Sequence, residues 1–383
     1  MQESSITKHL IEESGERKLP DPLYTNAGEQ IISTEQWESN RRPELLEMFK
    51  EHIYGRSPVN RPDSLSFNVV ETKSVMEGNA VLKKVDISFE GPGGKGIIHL
   101  KVFVPTNLKK PAPAFVLINK FNDEQERKEM WGYSPEKSMI ERGYGAVFYC
   151  TADVDPDEHD EFKNGVHGIY DEEQRPSDAW GTIAAWAWGA SRVMDYLETD
   201  TDIDSDKVAI VGHSRSGKTA LWTGALDERF AFVISNESGS TGAAISRGKI
   251  GETINQINTK FPHWFNDNYK SFNDREFELP VDQHMLLSMI APRPIYVASA
   301  SEDLWCDPES EFLSLSFATS VYQLYGFKGL GTKQPPPIDS PIIGDQMGYH
   351  NRYGKHKLKE YDLVQFMNFW DGYFEKENGH KKG

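Results

Sequence analysis

Five short apolar runs constrain the fold most: "PAPAFVLIN" (111–119), "GAVFYC" (145–150), "KVAIVGH" (207–213), "FAFVISNESG" (230–239) and "PIYVASASED" (294–303). The first three are too continuously apolar for a strand with one wet face, so they read as strands buried on both faces, and the last two read as further strands. Helical patterns separate them. "SPEKSMIERGYG" is a short helix ended by Gly143, and "SDAWGTIAAWAWGASRVMDYLET" a long helix capped by Ser177 or Asp178. "SGKTALWTGALD" follows the third run at once, and "KLKEYDLVQFMNFWDGYF" is a closing amphipathic helix. Strands alternating with helices call for a parallel sheet, wound right-handedly, with helices on both faces.

The chain before these runs behaves differently. Residues 64–104 alternate apolar and polar around "EGPGGKG", the pattern of an antiparallel meander with a Gly-rich turn. "TEQWESNRRPELLEMFKEHIYGRSP" reads as a helix capped by Thr34 and stopped at Gly55 and Pro58, and residues 1–34 as a polar arm on the body. "TKQPPPIDSP" (332–341) is a surface loop, and 240–280 breaks the strand–helix rhythm as an insertion over the mouth of the site. An antiparallel start followed by parallel strands is the order of an α/β-hydrolase fold. The expectation is a mostly parallel central sheet in a three-layer α/β/α sandwich, one domain over residues 1–383.

Composition narrows the function. Hydrophobic residues are 38% and aromatics 11%, enough for a sizeable core. A net charge of −17 disfavours nucleic acid as a partner and favours solubility. Cys150 and Cys306 form neither a metal-ligand spacing nor a disulfide framework, so they read as two buried thiols. No run reaches the ~18 apolar residues of a membrane span. The opening "MQESSITKHLIEESGERKLP" has no signal-peptide core. It fits a cytosolic protein, or one whose leader lies outside this sequence.

The chemistry centres on "VAIVGHSRSG". The strand ends at Gly212, Ser214 falls on the bend and the helix starts at once, which is the layout of a nucleophile elbow. Gly212, Ser216 and Gly217 are small because the turn is tight; the usual pattern has Gly where Ser216 stands. Such a bend exposes Oγ and aims the Arg215 amide at a developing oxyanion, near the positive end of the helix dipole. The plainer reading is a helix cap; the strand–bend–helix order weighs against it.

A serine hydroxyl needs a base. In this fold order the acid follows the serine and the histidine comes last. "MGYHNRYGKHKLKEYDL" offers His350, in a period-two stretch that reads as the last strand, and His356, in the loop before the final helix where the base belongs. Two carboxylates compete as its partner: Asp303 in "ASASEDLWCDP" and Glu237 in "SNESG". The loop after "FVLIN" should supply a second oxyanion donor. "NKFNDE" lacks the HGGG of lipases, which leaves the Arg215 guanidinium as a candidate. Arg215, Lys218 and Arg247 gather positive charge near the nucleophile, suiting an anionic or hydroxylated substrate. Trp305 could stack on a sugar ring, and Glu252 could accept from hydroxyls.

"GHSRSGK", "NESGSTGAAISRG", "GETI" with "FPHWF", "SEDLWCDP" and "GYHNRYGKH" together resemble carbohydrate esterase family 15, the glucuronoyl esterases, in its bacterial branch. "KLPDPL" and "EQWESNRRPELLEMFKEHIYGRSP" extend the resemblance over nearly the whole chain. Gly212, Ser214, Arg215 and Gly217 satisfy the family's G-x-S-R-x-G; fungal members carry a disulfide-forming Cys where His213 stands here. The resemblance implies hydrolysis of the ester between (4-O-methyl-)glucuronic acid on xylan and lignin alcohols. Ser214 would be nucleophile, His356 base and Glu237 its acid, with Asp303 a second acid as in many bacterial members. Arg215 would hold the oxyanion, and Lys218, Glu252 and Trp305 the uronate. No metal or cofactor is implied. A polymeric substrate implies a secreted or periplasmic protein; a monomer with no nucleic-acid partner and no membrane span is expected. Loss of Glu237 should cost more than loss of Asp303. An acetylxylan esterase is the rival reading. A prolyl-type peptidase lacks its propeller repeat here, and an inactive carbohydrate-binding scaffold would not need a complete Ser–His–acid set.

Overall fold

In a computed structural model that describes residues 17–108, 111–120 and 124–380, the apolar runs pair into one sheet of ten strands. They are β1 (Ser66–Val75), β2 (Ala80–Gly91), β3 (Gly94–Pro105), β4 (Ala112–Asn119), β5 (Gly145–Cys150), β6 (Ile203–His213), β7 (Phe232–Asn236), β8 (Ile295–Ala300), β9 (Ile342–Ile343) and β10 (Met347–Arg352). Their order across the sheet is β1-β2-β3-β5-β4-β6-β7-β8-β10-β9. The meander β1–β3 is antiparallel and joins β5 antiparallel. From β5 to β10 neighbours run parallel, and β9 closes the edge antiparallel.

The helices are α1 (Thr34–Gln36), α2 (Arg42–Phe49), α3 (Glu124–Trp131), α4 (Pro135–Glu141), α5 (Gly165–Tyr170), α6 (Thr182–Leu197), α7 (Arg215–Leu226), α8 (Ile254–Lys260), α9 (Gln283–Ser288), α10 (Pro308–Leu324) and α11 (Glu360–His380). The period-two pleat assigns them to layers. Ala114, Val116 and Ile118 of β4 join one core with Trp186 of α6, Leu221 of α7, Leu286 of α9 and Phe312 of α10. Phe115 and Leu117 join the opposite core with Met139 of α4 and Phe366 and Trp370 of α11. Val208 and Ile210 of β6 face the first core, Ala209 and Val211 the second. These alternations make the three layers of an α/β-hydrolase. Each fully buried large side chain contributes about 1.5–3 kcal/mol. Truncating Phe115, which is 0% exposed, to Ala would cost about 3–5 kcal/mol.

Several local readings need correction. Helical winding does run from 34 to 54, but Ser33 is its cap, accepting from Gln36 N at 3.3 Å, not Thr34. Two wider π-helical turns, Trp37–Arg41 and Lys50–Tyr54, interrupt it. It stops at Gly55, where φ is 87° and a Cβ would lie 2.3 Å from Ala179 O. Neither Ser177 nor Asp178 caps α6, which starts after Gly181. Asp178 instead accepts from Arg56 Nε at 2.8 Å. The helix α10 was not expected, although Asp307 accepts the Ser310 N–H at 3.2 Å and Pro308 fills its first turn, both start signals.

The described part of the arm lies on the body. Arg17 Nη1 donates to Ser310 Oγ at 2.8 Å, and the Pro20 carbonyl accepts from His284 Nε2 at 2.8 Å. Residues 1–16 of that arm lie outside the described residues. Cys150 and Cys306 are free and buried. No helix among the described residues is long and apolar enough to cross a membrane.

The topology also sets where a site can form. From β4 the sheet grows one way to β5 and the other way to β6. That is a switch point, and a crevice opens at the carboxyl ends of the flanking strands. Ile118 of β4 and Gly212 of β6 pair there, two residues before Ser214.

Candidate active site

At the end of β6 the chain has no room to turn gradually. A Cβ on Gly212 would lie 1.8 Å from Ser216 O, and one on Gly217 2.9 Å from Ser238 Cβ. Ser214 therefore adopts φ 59° and ψ −127°, a conformation that costs a side-chain-bearing residue about 1–3 kcal/mol. Its neighbours hold it there: its N–H donates to Asn236 O at 2.9 Å, and its carbonyl accepts from Gly217 N at 2.8 Å. Ser216 is buried where the usual pattern has Gly. The bend opens on a cavity of about 270 Å³ that Ser214 lines together with Arg215, His356, Trp131, Ile118 and Leu358.

His356 is brought to this cavity by the loop between β10 and α11. Its Nδ1 lies 2.6 Å from Asp303 Oδ2 and 3.3 Å from Glu237 Oε2. With Nδ1 engaged by carboxylates, the ring's other nitrogen, Nε2, is left as the basic one. Burial works against a charge on the ring, but the bonds to Asp303 and then Glu237 outweigh it and raise His356 to about 9. Both acids therefore serve one nitrogen, and the shorter bond is Asp303's, not that of Glu237 on which the sequence placed more weight.

The two carboxylates are held differently. Asp303 follows β8; burial raises its affinity for a proton, but the His356 bond and Cys306 outweigh this and hold it below the usual carboxylate range. Glu237 is 0% exposed, directly after β7, at φ 46°. Its Oε1 accepts from Arg352 Nη2, and its Oε2 accepts the Lys357 N–H at 2.9 Å. Burial raises its pKa in spite of these partners.

His350 is the histidine the structure sets aside. It is 0% exposed within β10, with Nε2 2.8 Å from Asp362 Oδ1 and Nδ1 3.0 Å from Tyr296 Oη. His213, which the sequence reading treated only as a replaced cysteine, lines the cavity. Its ring centroid lies 4.5 Å from that of His356, and its Nδ1 is 2.7 Å from Asn236 Oδ1. Burial, then the adjacent His356, push it down to about 3, so this imidazole stays neutral.

Arg215 opens α7. Its guanidinium pairs with Asp157 and lies 4.7 Å from the Trp264 ring centroid and 5.2 Å from that of Phe261. Those rings stack on each other at 3.7 Å, so the 240–280 segment packs against the Arg215 side chain, although none of its residues lines the cavity. Asp157 also accepts from Trp264 Nε1 at 2.8 Å and sits 3.2 Å from His263 Nε2. Burial would raise Asp157, but the His263 bond and the Arg215 charge bring it to about 2. Sequence reasoning missed Asp157: it stands in the acidic run "DVDPDEHDE", where no spacing singles it out. The loop expected to give a second oxyanion donor, 121–123 in "NKFNDE", lies outside the described residues.

The remaining candidates do not converge on the cavity. Arg247 is buried on Asp282 at 3.1 Å and on the carbonyls of Val281 and Leu279, so it is a structural cation and not part of a positive cluster at the nucleophile. Lys218 is 3% exposed; its ammonium donates to Ser238 O at 2.5 Å and to Ser240 O, and burial lowers its pKa. Glu252 is buried, and its N–H donates to Trp305 O at 3.1 Å. Trp305 is 48% exposed, two residues beyond Asp303. Glu252 and Trp305 therefore form a patch next to the acid's loop, and none of the three lines the Ser214 cavity.

A strained serine on a strand–helix bend, an imidazole anchored by carboxylates and a cation at the lip can carry out acyl transfer. The comparisons agree. A family model described as "Glucuronyl esterase, fungi" matches residues 87–326. A carbohydrate esterase, MZ0003, from an unknown prokaryotic organism is 39% identical and covers 95% of this chain and 90% of that protein. A 4-O-methyl-glucuronoyl methylesterase of Thermothelomyces thermophilus is 29% identical over 92% of this chain and 81% of that protein. Among solved structures, a glucuronoyl esterase from Solibacter usitatus superposes with a TM-score of 0.86 at 38% identity, covering 92% of this chain and 96% of that one. This chain belongs to the glucuronoyl esterases of carbohydrate esterase family 15.

Proposed function

We propose that the protein hydrolyses esters of (4-O-methyl-)glucuronic acid carried on xylan, releasing a lignin-type alcohol, outside the cytoplasm. The observation that carries this reading is the shared cavity: Ser214 and His356 line one crevice, with the imidazole tethered at Nδ1. His356 Nε2 takes the Ser214 hydroxyl proton as Oγ attacks the ester carbonyl. The Arg215 N–H, at the positive end of α7, and its guanidinium face the oxyanion, each donor worth roughly 3–4 kcal/mol in comparable sites. Collapse breaks the bond to the alcohol, which leaves with the proton from His356. A water, deprotonated by the same imidazole, then attacks the acyl-enzyme and frees the uronic acid and Ser214.

Trp131, Ile118 and Leu358 give the cavity an apolar wall, which suits an aromatic alcohol. Glu252 and Trp305 fit the uronate side by their chemistry, Trp305 as a stacking face and Glu252 as an acceptor, while Lys218, buried on the Ser238 and Ser240 carbonyls, would act there only by holding that loop. The test is turnover of a benzyl glucuronate ester beside an acetylated xylan by wild type and Ser214→Ala. The reading expects strong preference for the uronate ester and its loss in the variant. Faster release of acetate would favour a deacetylase, and unchanged turnover in Ser214→Ala would contradict the serine mechanism.

A further inference from the structure

Beneath the two carboxylates on His356 lies a third. Glu311, on α10, is 0% exposed. Its Oε1 accepts the Gly239 N–H at 2.9 Å and lies 3.5 Å from Ser238 Oγ, and its Oε2 lies 2.6 Å from Ser299 Oγ. Ser238 and Gly239 directly follow Glu237, while Ser299 stands in β8 just ahead of Asp303. A single side chain thus spans the two segments that present acids to His356.

The groups facing Glu311 are mostly of its own sign. Glu237 and Asp303 both work against its ionisation, and no cation pairs with it among the described residues. The nearby Lys218 ammonium is taken by the carbonyls of Ser238 and Ser240. Burial above all, with Asp303 and Glu237 adding to it, pushes the Glu311 carboxyl up to about 8.

The hydroxyls around it accommodate a proton. Tyr349 Oη lies 3.1 Å from Ser299 Oγ and donates to Pro308 O at 3.0 Å. The hydroxyl hydrogens can rotate: Ser299 donates to Oε2 when Glu311 is ionised, and with Glu311 neutral the line runs instead from its O–H to Ser299, from Ser299 to Tyr349 and from Tyr349 to the Pro308 carbonyl. Every hydroxyl then both donates and accepts, and Oε1 remains free to take the Gly239 N–H.

Resting on the Ser214–His356 reading above, we propose that Glu311 is a positioning residue, a neutral acid that fixes the spacing of the Glu237 and Asp303 segments so that both carboxylates meet His356 Nδ1. A glutamine can reproduce that pattern, with its carbonyl toward Gly239 and its NH₂ toward Ser299. It cannot reproduce an ionised carboxylate, which accepts on both sides and needs a donor at each. Alanine abandons both segments.

The experiment measures kcat and KM on a benzyl glucuronate ester for Glu311→Ala and Glu311→Gln. It also records the downfield proton resonance of His356 Nδ1–H, which needs no substrate. The expected result is a kcat lowered about tenfold or more in Glu311→Ala with KM within twofold, and a displaced or lost resonance. Glu311→Gln should recover most of kcat and the resonance. Equal losses in both variants would overturn the neutral role. Wild-type kcat and resonance in Glu311→Ala would overturn positioning altogether. If Glu311→Ala does not fold, Ser299→Ala takes its place; it should lower kcat severalfold and shift the resonance, and no effect would overturn the proposal. Ser214→Ala run in parallel keeps the tests apart: full turnover there would defeat the serine mechanism while leaving the resonance result to judge Glu311.

Discussion

His356 Nδ1 lies 2.6 Å from Asp303 Oδ2, while the fully buried Glu237 reaches the same nitrogen at 3.3 Å. One imidazole thus has two carboxylates. Asp303 is charged and close. Glu237 is already shared with Arg352 and the Lys357 N–H, so less of its charge is available to the ring.

The unequal distances predict unequal losses. Asp303→Asn should lower kcat by about 10²-fold and Glu237→Gln by about tenfold, since either remaining carboxylate still orients the ring. The double variant should approach the ~10⁴-fold loss seen when a triad loses its only acid. Steady-state kinetics on a benzyl glucuronate ester checks this. A larger loss in Glu237→Gln would restore the order expected from sequence.

The same pairing sets a pH dependence. The base works as the neutral imidazole, and its carboxylates hold the proton on up to about pH 9. kcat/KM should therefore rise with pH above neutrality, where an ordinary histidine has already finished titrating, until the buried Glu311 gives up its proton near 8. Removing the negative charge in Asp303→Asn should move that limb to lower pH. A limb that stays in place would mean Asp303 does not set the basicity of His356.

Arg215 is predicted to act through its planar guanidinium, which pairs with Asp157 and faces the Trp264 and Phe261 rings. Arg215→Ala should lower kcat by about 10²–10³-fold, the loss of one oxyanion donor. Arg215→Lys should recover little, because an ammonium cannot stack and fork in the same way. Asp157→Asn should weaken activity less, by releasing the guanidinium from its position. Full rescue by lysine would reduce the role to simple charge.

The two histidines of "GYHNRYGKH" should separate cleanly. His350→Ala leaves Tyr296 Oη without its buried partner and opens a cavity in the core, while Asp362 keeps Arg352, so it should cost about 2–4 kcal/mol in urea unfolding. The folded fraction should keep its turnover. His356→Ala should do the reverse: near-native stability and loss of turnover. Exchange of these outcomes would mean that the base has been misassigned.

Much of this was readable because it is local. The unbroken apolar runs announce β4 to β8, and Gly212, Ser214 and Gly217 announce the bend, since sterics act over a few residues. Long-range pairings leave no such trace. Asp157 lies 58 positions from Arg215 in the chain, and nothing near it names its partner. Arg247 looked like substrate charge until Asp282 was found beside it. The Ser177 and Asp178 cap failed because Arg56 competes for Asp178. Helices missed with their start signals in plain view include α10, at Asp307 and Pro308, and α8, at the Thr253–Gln256 capping box.

The central claim is a covalent acyl-enzyme at Ser214, and rapid-quench mass spectrometry tests it most directly. Wild-type protein mixed with excess benzyl glucuronate, quenched in acid within the first turnovers and digested, should show the uronoyl mass increment on the peptide containing Ser214. The increment should be absent from Ser214→Ala. A uronoyl group on any other residue, or steady turnover by Ser214→Ala without one, would contradict the account.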